Sequence, residues 1–186
     1  EMDWVELANL DVGAWTGSRW EGERIPLLRE VMASVPEGKR IYVDLKVKGT
    51  VCESLSSEID DAGIDFNQLV VMSFDRDVIR SLEEMRTEIY TALLVPLKRS
   101  RFSRRWSDAA AICRELEEIG ADAVCFSWDD RVDQSFVSKI ERRGFECHAW
   151  RVNTLSILSK AKRSGIRSVI TDFPKEFVED LAEAVD

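Results

Sequence analysis

Short apolar, β-branched runs alternate with amphipathic segments along most of this chain. Each apolar run is followed by a segment in which apolar residues recur at helical spacing. Strands are predicted at 41–45, 69–73, 89–95, 122–126, 146–152 and 168–171, and helices at 51–62, 75–86, 107–119, 133–143, 154–164 and 174–184. Ser107 is the predicted N-cap of the third of these helices. Alternating strand–helix units predict a parallel α/β sheet.

The first forty residues do not follow this pattern. Tryptophan and glycine punctuate a loop-like stretch, a short amphipathic run follows at 27–35, and a turn at 36–38 ends it. No linker rich in Pro, Gly or Ser divides the chain. We therefore expect a single domain with an N-terminal segment over 1–40 and an α/β body over 41–186.

Two architectures fit the alternation: an open doubly wound sheet, or a (β/α) barrel that has lost part of itself. The first predicted strand favours the barrel. Tyr42, Asp44 and Lys46 share one of its faces, and aliphatic residues occupy the other. A polar row can line the mouth of a barrel while the aliphatic row packs on helices. No glycine-rich phosphate-binding turn or Walker sequence is present to support a nucleotide-binding sheet.

Composition narrows the possible functions. The chain has 26 Lys and Arg against 35 Asp and Glu residues, a formal net charge of −9, which argues against nucleic acid as a partner. No apolar run approaches the ~18 residues of a membrane-spanning helix. The sequence opens without the basic and apolar order of a signal peptide. Four cysteines without C-x-x-C spacing predict reduced thiols in a cytoplasmic protein.

Several phrases of the sequence resemble those of the glycerophosphodiester phosphodiesterase family. They occur in the family's order and span essentially the whole chain. The family phrases are LDxGxW, GExIPTLEEVL, IEIK, VISFD, GADG, HVWTVN and ITDYP; this chain has LDVGAW at 10–15, GERIPLLREV at 22–31, VDLK at 43–46, VMSFD at 71–75, GADA at 120–123, HAWRVN at 148–153 and ITDFP at 170–174. The resemblance implies a partial TIM-like (β/α) barrel whose six parallel strands correspond to strands three to eight of the family.

The departures from the family pattern matter equally. The family's HRG, ENT, ExD and HD motifs, which carry both catalytic histidines and two carboxylate metal ligands, have no counterpart here. The family's third metal ligand, a glutamate, aligns with Asp44. The resemblance thus implies a divalent metal, Mg or Ca, with Asp44 as its candidate ligand. It also implies hydrolysis of glycerophosphodiesters to glycerol 3-phosphate and an alcohol, with this chain incomplete or inactive.

The resemblance also suggests substrate-binding residues. It places Lys46 at a phosphate oxygen and Trp150 in a substrate wall. The alternatives are a solvent-facing lysine, an Asp44 carboxylate paired with Lys46, and a Trp150 that packs in the core. We interpret His148 as structural, and we expect Asn153 and Thr154 to cap the next helix.

Three functions remain open. The chain is a phosphodiesterase, a non-catalytic module that binds a small phosphorylated ligand, or an assembly protein. The basic stretch at 98–106 either attracts an anion or is a solvated loop. Absence of strands one and two would leave an open barrel edge, which invites pairing. We expect a partner chain in a homo-oligomer, the segment around Trp4–Trp20, or direct closure to cover that edge.

Overall fold

The computed structural model describes residues 2–47, 51–97 and 108–183. Six parallel strands form one sheet in chain order, β1 (Ile41–Leu45), β2 (Leu69–Ser73), β3 (Tyr90–Val95), β4 (Ala123–Ser127), β5 (Glu146–Trp150) and β6 (Ser168–Ile170). The helices are α1 (Trp4–Ala8), α2 (Leu28–Ala33), α3 (Val51–Ala62), α4 (Arg76–Met85), α5 (Ala109–Ile119), α6 (Gln134–Glu141), α7 (Leu155–Ser164) and α8 (Pro174–Glu183), with short 3-10 helices at Ser18–Trp20 and Phe66–Gln68.

The sheet curls into a partial barrel. The rings of Tyr42 on β1 and His148 on β5 lie 6.0 Å apart although three strands separate them in the sheet. Within the described residues, β1 and β6 remain the two edges of the six-stranded order. The prediction of a partial (β/α) barrel is therefore confirmed, and direct closure into a smaller barrel is not observed.

Alternate residues of each strand face opposite sides, as the pleat requires. The outer side chains pack against the helices in two main clusters, one around Leu69 and Leu82 and one around Leu93 and Phe126. A smaller cluster fills the inner face and includes Met72, Ala92, Leu94, Ala123 and Cys125. The predicted division of β1 is confirmed, because Tyr42 belongs to the inner cluster and Leu45 to an outer one.

Helix caps correct one detail of the sequence analysis and confirm another. The N-cap of α5 is Asp108, whose carboxylate accepts a hydrogen bond from the amide of Ala110, and not Ser107. Ser107 itself lies outside the described residues, as do the basic stretch at 98–106 and the predicted end of the last helix at residue 184. Thr154 caps α7 as predicted, since its hydroxyl accepts a hydrogen bond from the amide of Ile157.

The backbone hydrogen bonds of the N-terminal segment connect the segment to itself and not to a sheet edge. The Asp11 carboxylate accepts hydrogen bonds from the amides of Gly13, Ala14 and Gly22, and these bonds lower the pKa of Asp11. Trp15 remains 85% exposed. Among the described residues, the backbone hydrogen bonds of residues 3–23 stay within that segment, so it does not pair with β1 or β6. Over the same described ranges, no helix is long and apolar enough to cross a membrane.

Candidate functional site

A pocket of about 450 Å³ opens at the carboxyl ends of the strands, on the inner side of the curled sheet. In parallel α/β folds this edge is the usual place for ligands, because the strand ends and the loops after them converge there. Its lining residues come from β1, β2, β3, β5 and β6 or directly follow them: Asp44, Lys46, Met72, Phe74, Leu94, Trp150, Arg151, Asn153, Ile170 and Asp172. The three site residues predicted from the sequence, Asp44, Lys46 and Trp150, all lie in this pocket.

Asp44 and Lys46 form an ion pair at the end of β1. The ammonium group of Lys46 lies 2.6 Å from Oδ2 of Asp44. The Lys46 side chain is 71% exposed, so it can exchange this partner for another anion at small cost. The other oxygen of Asp44, Oδ1, is buried and accepts no hydrogen bond from the described residues. The pair thus combines one accessible cation at the pocket with one buried carboxylate oxygen that has no partner among the described residues.

Two aromatic rings form one wall of the pocket. Phe74 and Trp150 pack edge to face with ring centroids 5.9 Å apart. The indole N–H of Trp150 donates to the carbonyl of Cys125, which fixes the ring against β4. The ammonium of Lys46 lies 5.7 Å from the Phe74 ring centroid. This wall offers apolar surface beside a cation, a combination that suits a ligand with a carbon skeleton and an anionic group.

Arg151 also lines the pocket, beside the Trp150 ring of this wall. Its guanidinium lies 5.3 Å from the Trp150 ring centroid, and its side chain is exposed. Among the described residues it is the one non-glycine residue with a positive φ, 60°. This left-handed backbone turns the chain sharply at the end of β5 and is uncommon for a residue with a long side chain.

Asn153 does not cap α7, contrary to the sequence-based expectation. Its amide donates to Oδ2 of Asp172 over 2.6 Å, and its Oδ1 accepts from the Thr171 hydroxyl and the Asp172 amide. These bonds tie the loop after β5 to the loop after β6. They also engage the second carboxylate of the pocket, Asp172, with a neutral donor.

The described residues do not assemble a metal centre. No group of three or more His, Cys, Asp or Glu side chains among them converges on one point. The free Oδ1 of Asp44 supplies a single carboxylate oxygen, whereas Ca²⁺ takes six or more oxygens and Mg²⁺ demands near-octahedral coordination. The metal implied by the family therefore does not fit the described part of this chain.

His148 lies below the pocket and not in it. Its ring is 1% exposed, with Nε2 3.3 Å from Oε2 of Glu146. Burial lowers the pKa of His148, which favours the neutral ring. The four cysteines are free and buried, as expected for reduced thiols. Burial raises the pKa of Cys125 to about 12, so this thiol is no nucleophile at neutral pH.

Sequence reasoning missed Phe74, Arg151 and Asn153 as pocket residues. Each lies one to three residues beyond a strand end, where periodicity no longer indicates a direction for the side chain. Their place directly after buried parallel strands was the available signal, since the carboxyl ends of such strands share one edge.

The family model described as the glycerophosphoryl diester phosphodiesterase family matches residues 1–176 of the chain. Among curated proteins, YhdW of Bacillus subtilis is 24% identical over 178 residues, which are 94% of this chain and 70% of that protein. The chain is thus similar to a longer protein over nearly its whole length.

Two solved structures share the fold. The glycerophosphodiester phosphodiesterase of Parabacteroides distasonis superposes with a TM-score of 0.76 at 17% identity, covering 100% of this chain and 73% of that one. A phosphodiesterase of Oleispira antarctica, solved with the product sn-glycerol-3-phosphate, gives a TM-score of 0.75 at 22% identity. The match covers 97% of this chain and 71% of that one.

Proposed function

The chain belongs to the glycerophosphoryl diester phosphodiesterase family, and from this premise we propose that its pocket binds the phosphoryl group of a glycerophosphodiester. The reaction that this site serves is hydrolysis to glycerol 3-phosphate and an alcohol. A similar protein binds that product, since the Oleispira antarctica phosphodiesterase was solved with sn-glycerol-3-phosphate.

The observation that carries the proposal is the position of Lys46. Its exposed ammonium lies at the mouth of a pocket with an aromatic wall, and the described residues contact it through the ion pair with Asp44 and the face of Phe74. A phosphoryl oxygen can replace the Asp44 carboxylate as its partner, because both are anionic acceptors. Trp150 and Phe74 then offer apolar surface to the carbon atoms of the glycerol or of the alcohol.

A non-catalytic binding module is the second candidate. One inward carboxylate oxygen is free at Asp44, and the described pocket lining contains no histidine. General acid–base catalysis requires a titratable group within reach of the scissile bond, and Lys46 and Asn153 already engage the two carboxylates of the pocket. Binding a phosphorylated ligand requires only the cation and the wall.

One assay separates the two candidates. The purified chain is incubated with glycerophosphocholine over a series of Mg²⁺ and Ca²⁺ concentrations, and binding of sn-glycerol 3-phosphate is measured by calorimetry in parallel. Hydrolysis that Asp44→Ala abolishes supports the enzyme and the assignment of Asp44 as metal ligand. Binding without hydrolysis supports the module. The absence of both binding and hydrolysis would refute the proposed site.

We also propose that a second copy of the chain covers the open sheet edges. Strands β1 and β6 keep unpaired edges in the described sheet, and most of their residues are half-buried. A dimer in sedimentation experiments that Val43→Pro converts to a folded monomer would support this proposal. A wild-type monomer at high concentration would contradict it.

A further inference from the structure

Four charged side chains line the pocket, and three of them are already engaged. Lys46 pairs with Asp44, and Asp172 accepts a hydrogen bond from Asn153. The fourth is Arg151, whose guanidinium forms no hydrogen bond or ion pair with the part of the chain that the structure describes. A pocket-facing cation without an acidic partner is the group of the pocket best able to accept an anion.

The backbone at Arg151 adds a second, independent observation. A positive φ of 60° costs free energy in any residue other than glycine, so arginine and threonine would both be strained at this position. At this position the family phrase similar to residues 148–153 has threonine, whereas this chain has arginine. The strained turn thus projects a cation that the family phrase does not have, and it does so at the pocket wall.

The two cations contact different rings of the aromatic wall. Lys46 lies over Phe74, Phe74 packs against Trp150, and Arg151 lies over Trp150. A ligand with two anionic groups and a carbon skeleton between them can therefore place one group at each cation and its carbon atoms against the rings.

We propose that Arg151 is a specificity-determining residue that binds a second anionic group, carried by the alcohol half of the glycerophosphodiester. Lys46 binds the phosphodiester itself, so the inference rests on the proposed function. The second anionic group is a carboxylate or a phosphomonoester, since a guanidinium binds either of them through paired N–H donors.

The test compares ligands that differ by one anionic group. Glycerophosphoserine and glycerophosphoethanolamine differ by a carboxylate, and glycerophosphoglycerol with and without a terminal phosphate differ by a phosphomonoester. Binding of each is measured by calorimetry to the wild type, Arg151→Asn and Arg151→Lys. Asparagine tolerates the left-handed backbone, so Arg151→Asn removes the charge with little change in the turn.

Arg19→Asn is the matched control. Arg19 also lies over a tryptophan, 4.5 Å from the Trp20 ring centroid, but outside the pocket. We expect the wild type and the control to prefer the more anionic member of at least one pair about tenfold, in line with one charge-assisted hydrogen bond. Arg151→Asn should lose this preference, and Arg151→Lys should keep part of it.

The outcomes separate the inference from the proposed function. Equal binding within both pairs by the wild type overturns the inference but leaves the proposed function intact. A preference that survives in Arg151→Asn also overturns it, because another cation is then responsible. No binding of any diester overturns both. If Arg151→Asn does not fold, the salt dependence of binding to the wild type is the test. Added salt must weaken binding of the more anionic ligand of the pair more than binding of the less anionic one, or the inference fails.

Discussion

The inner face of the sheet carries polar groups at both ends, and the two ends differ in how far those groups are exposed and in which partners they have. At the carboxyl end, Asp44 and Lys46 pair with each other in an open pocket. At the amino end, His148 is enclosed between the rings of Tyr42 and Tyr90, at centroid distances of 6.0 and 6.5 Å. We call the first region the upper pocket and the second, formed by Tyr42, Tyr90, Glu146 and His148, the lower layer.

The lower layer leaves polar atoms unpaired. Nδ1 of His148 and the Tyr90 hydroxyl are buried without a hydrogen-bond partner in the described ranges, and so is the hydroxyl of Ser168, which pairs with His148 from the neighbouring strand β6. Burial lowers the pKa of His148 and raises that of Tyr90, so both side chains stay neutral. The same face of the same strands therefore holds the Asp44–Lys46 ion pair where water reaches it, whereas the enclosed His148 and Tyr90 are neutral and the carboxylate of the lower layer, Glu146, is half-exposed. Residue type alone does not decide which polar group can bind a ligand.

The largest expected effect tests the structural role of the lower layer. His148→Ala removes a fully buried ring and leaves a cavity, which should lower the free energy of unfolding by about 2–4 kcal/mol. Urea denaturation measures this change. Calorimetry should show that sn-glycerol 3-phosphate still binds within twofold of the wild type under native conditions.

Trp150→Ala is the counterpart on the same strand, two residues further along. Its ring is only half-buried and forms the pocket wall, so the loss of affinity should exceed that of His148→Ala while the loss of stability is smaller. A larger loss of affinity in His148→Ala than in Trp150→Ala would contradict the distinction between the upper pocket and the lower layer.

Glu83 adds a third case to the comparison, because this carboxylate is partly buried on the outer face and forms no ion pair with the described residues. It accepts a hydrogen bond from the Thr91 hydroxyl, and burial raises its pKa to about 7. A raised carboxylate pKa means that the folded state binds the proton more tightly than the unfolded state does. Stability conferred by the protonated group is therefore lost as the pH rises from about 4.5 to about 7.

Glu83→Gln should consequently raise the free energy of unfolding at pH 8 by on the order of 1–2 kcal/mol, with allowance for partial exposure. The gain should vanish near pH 4, where the wild-type carboxyl is protonated. Denaturation at both pH values measures the change. An equal gain at the two pH values would show that burial of the charge is not its cause.

A smaller pH effect is expected from His148. Its pKa is lowered in the folded state, so the unfolded chain binds the proton more readily. Stability should fall as the pH drops below about 6.5, the unperturbed histidine value. Measured in the Glu83→Gln background, which removes the opposing titration, this decline should disappear in His148→Gln. Persistence of the decline would assign it to another group.

The strands and the division of their faces could be predicted from the sequence, because period-two alternation and β-branched runs depend on short-range sterics. Asp44 and Lys46 could be placed on one face for the same reason, whereas the place of Trp150 in a substrate wall was implied by the family resemblance. Arg151 and Asn153 could not, because a left-handed residue ends β5 and reverses the alternation there. The Asp108 cap was missed because serine and aspartate stand side by side and both cap well.

The most direct test of the account is calorimetric titration of sn-glycerol 3-phosphate into the wild type, Lys46→Met and Lys39→Met. The two lysines flank β1 at its opposite ends, and both variants remove one positive charge. If the upper pocket binds the phosphoryl group through Lys46, Lys46→Met should weaken binding about tenfold or more, and Lys39→Met should leave it within twofold. Wild-type affinity in Lys46→Met would contradict the account.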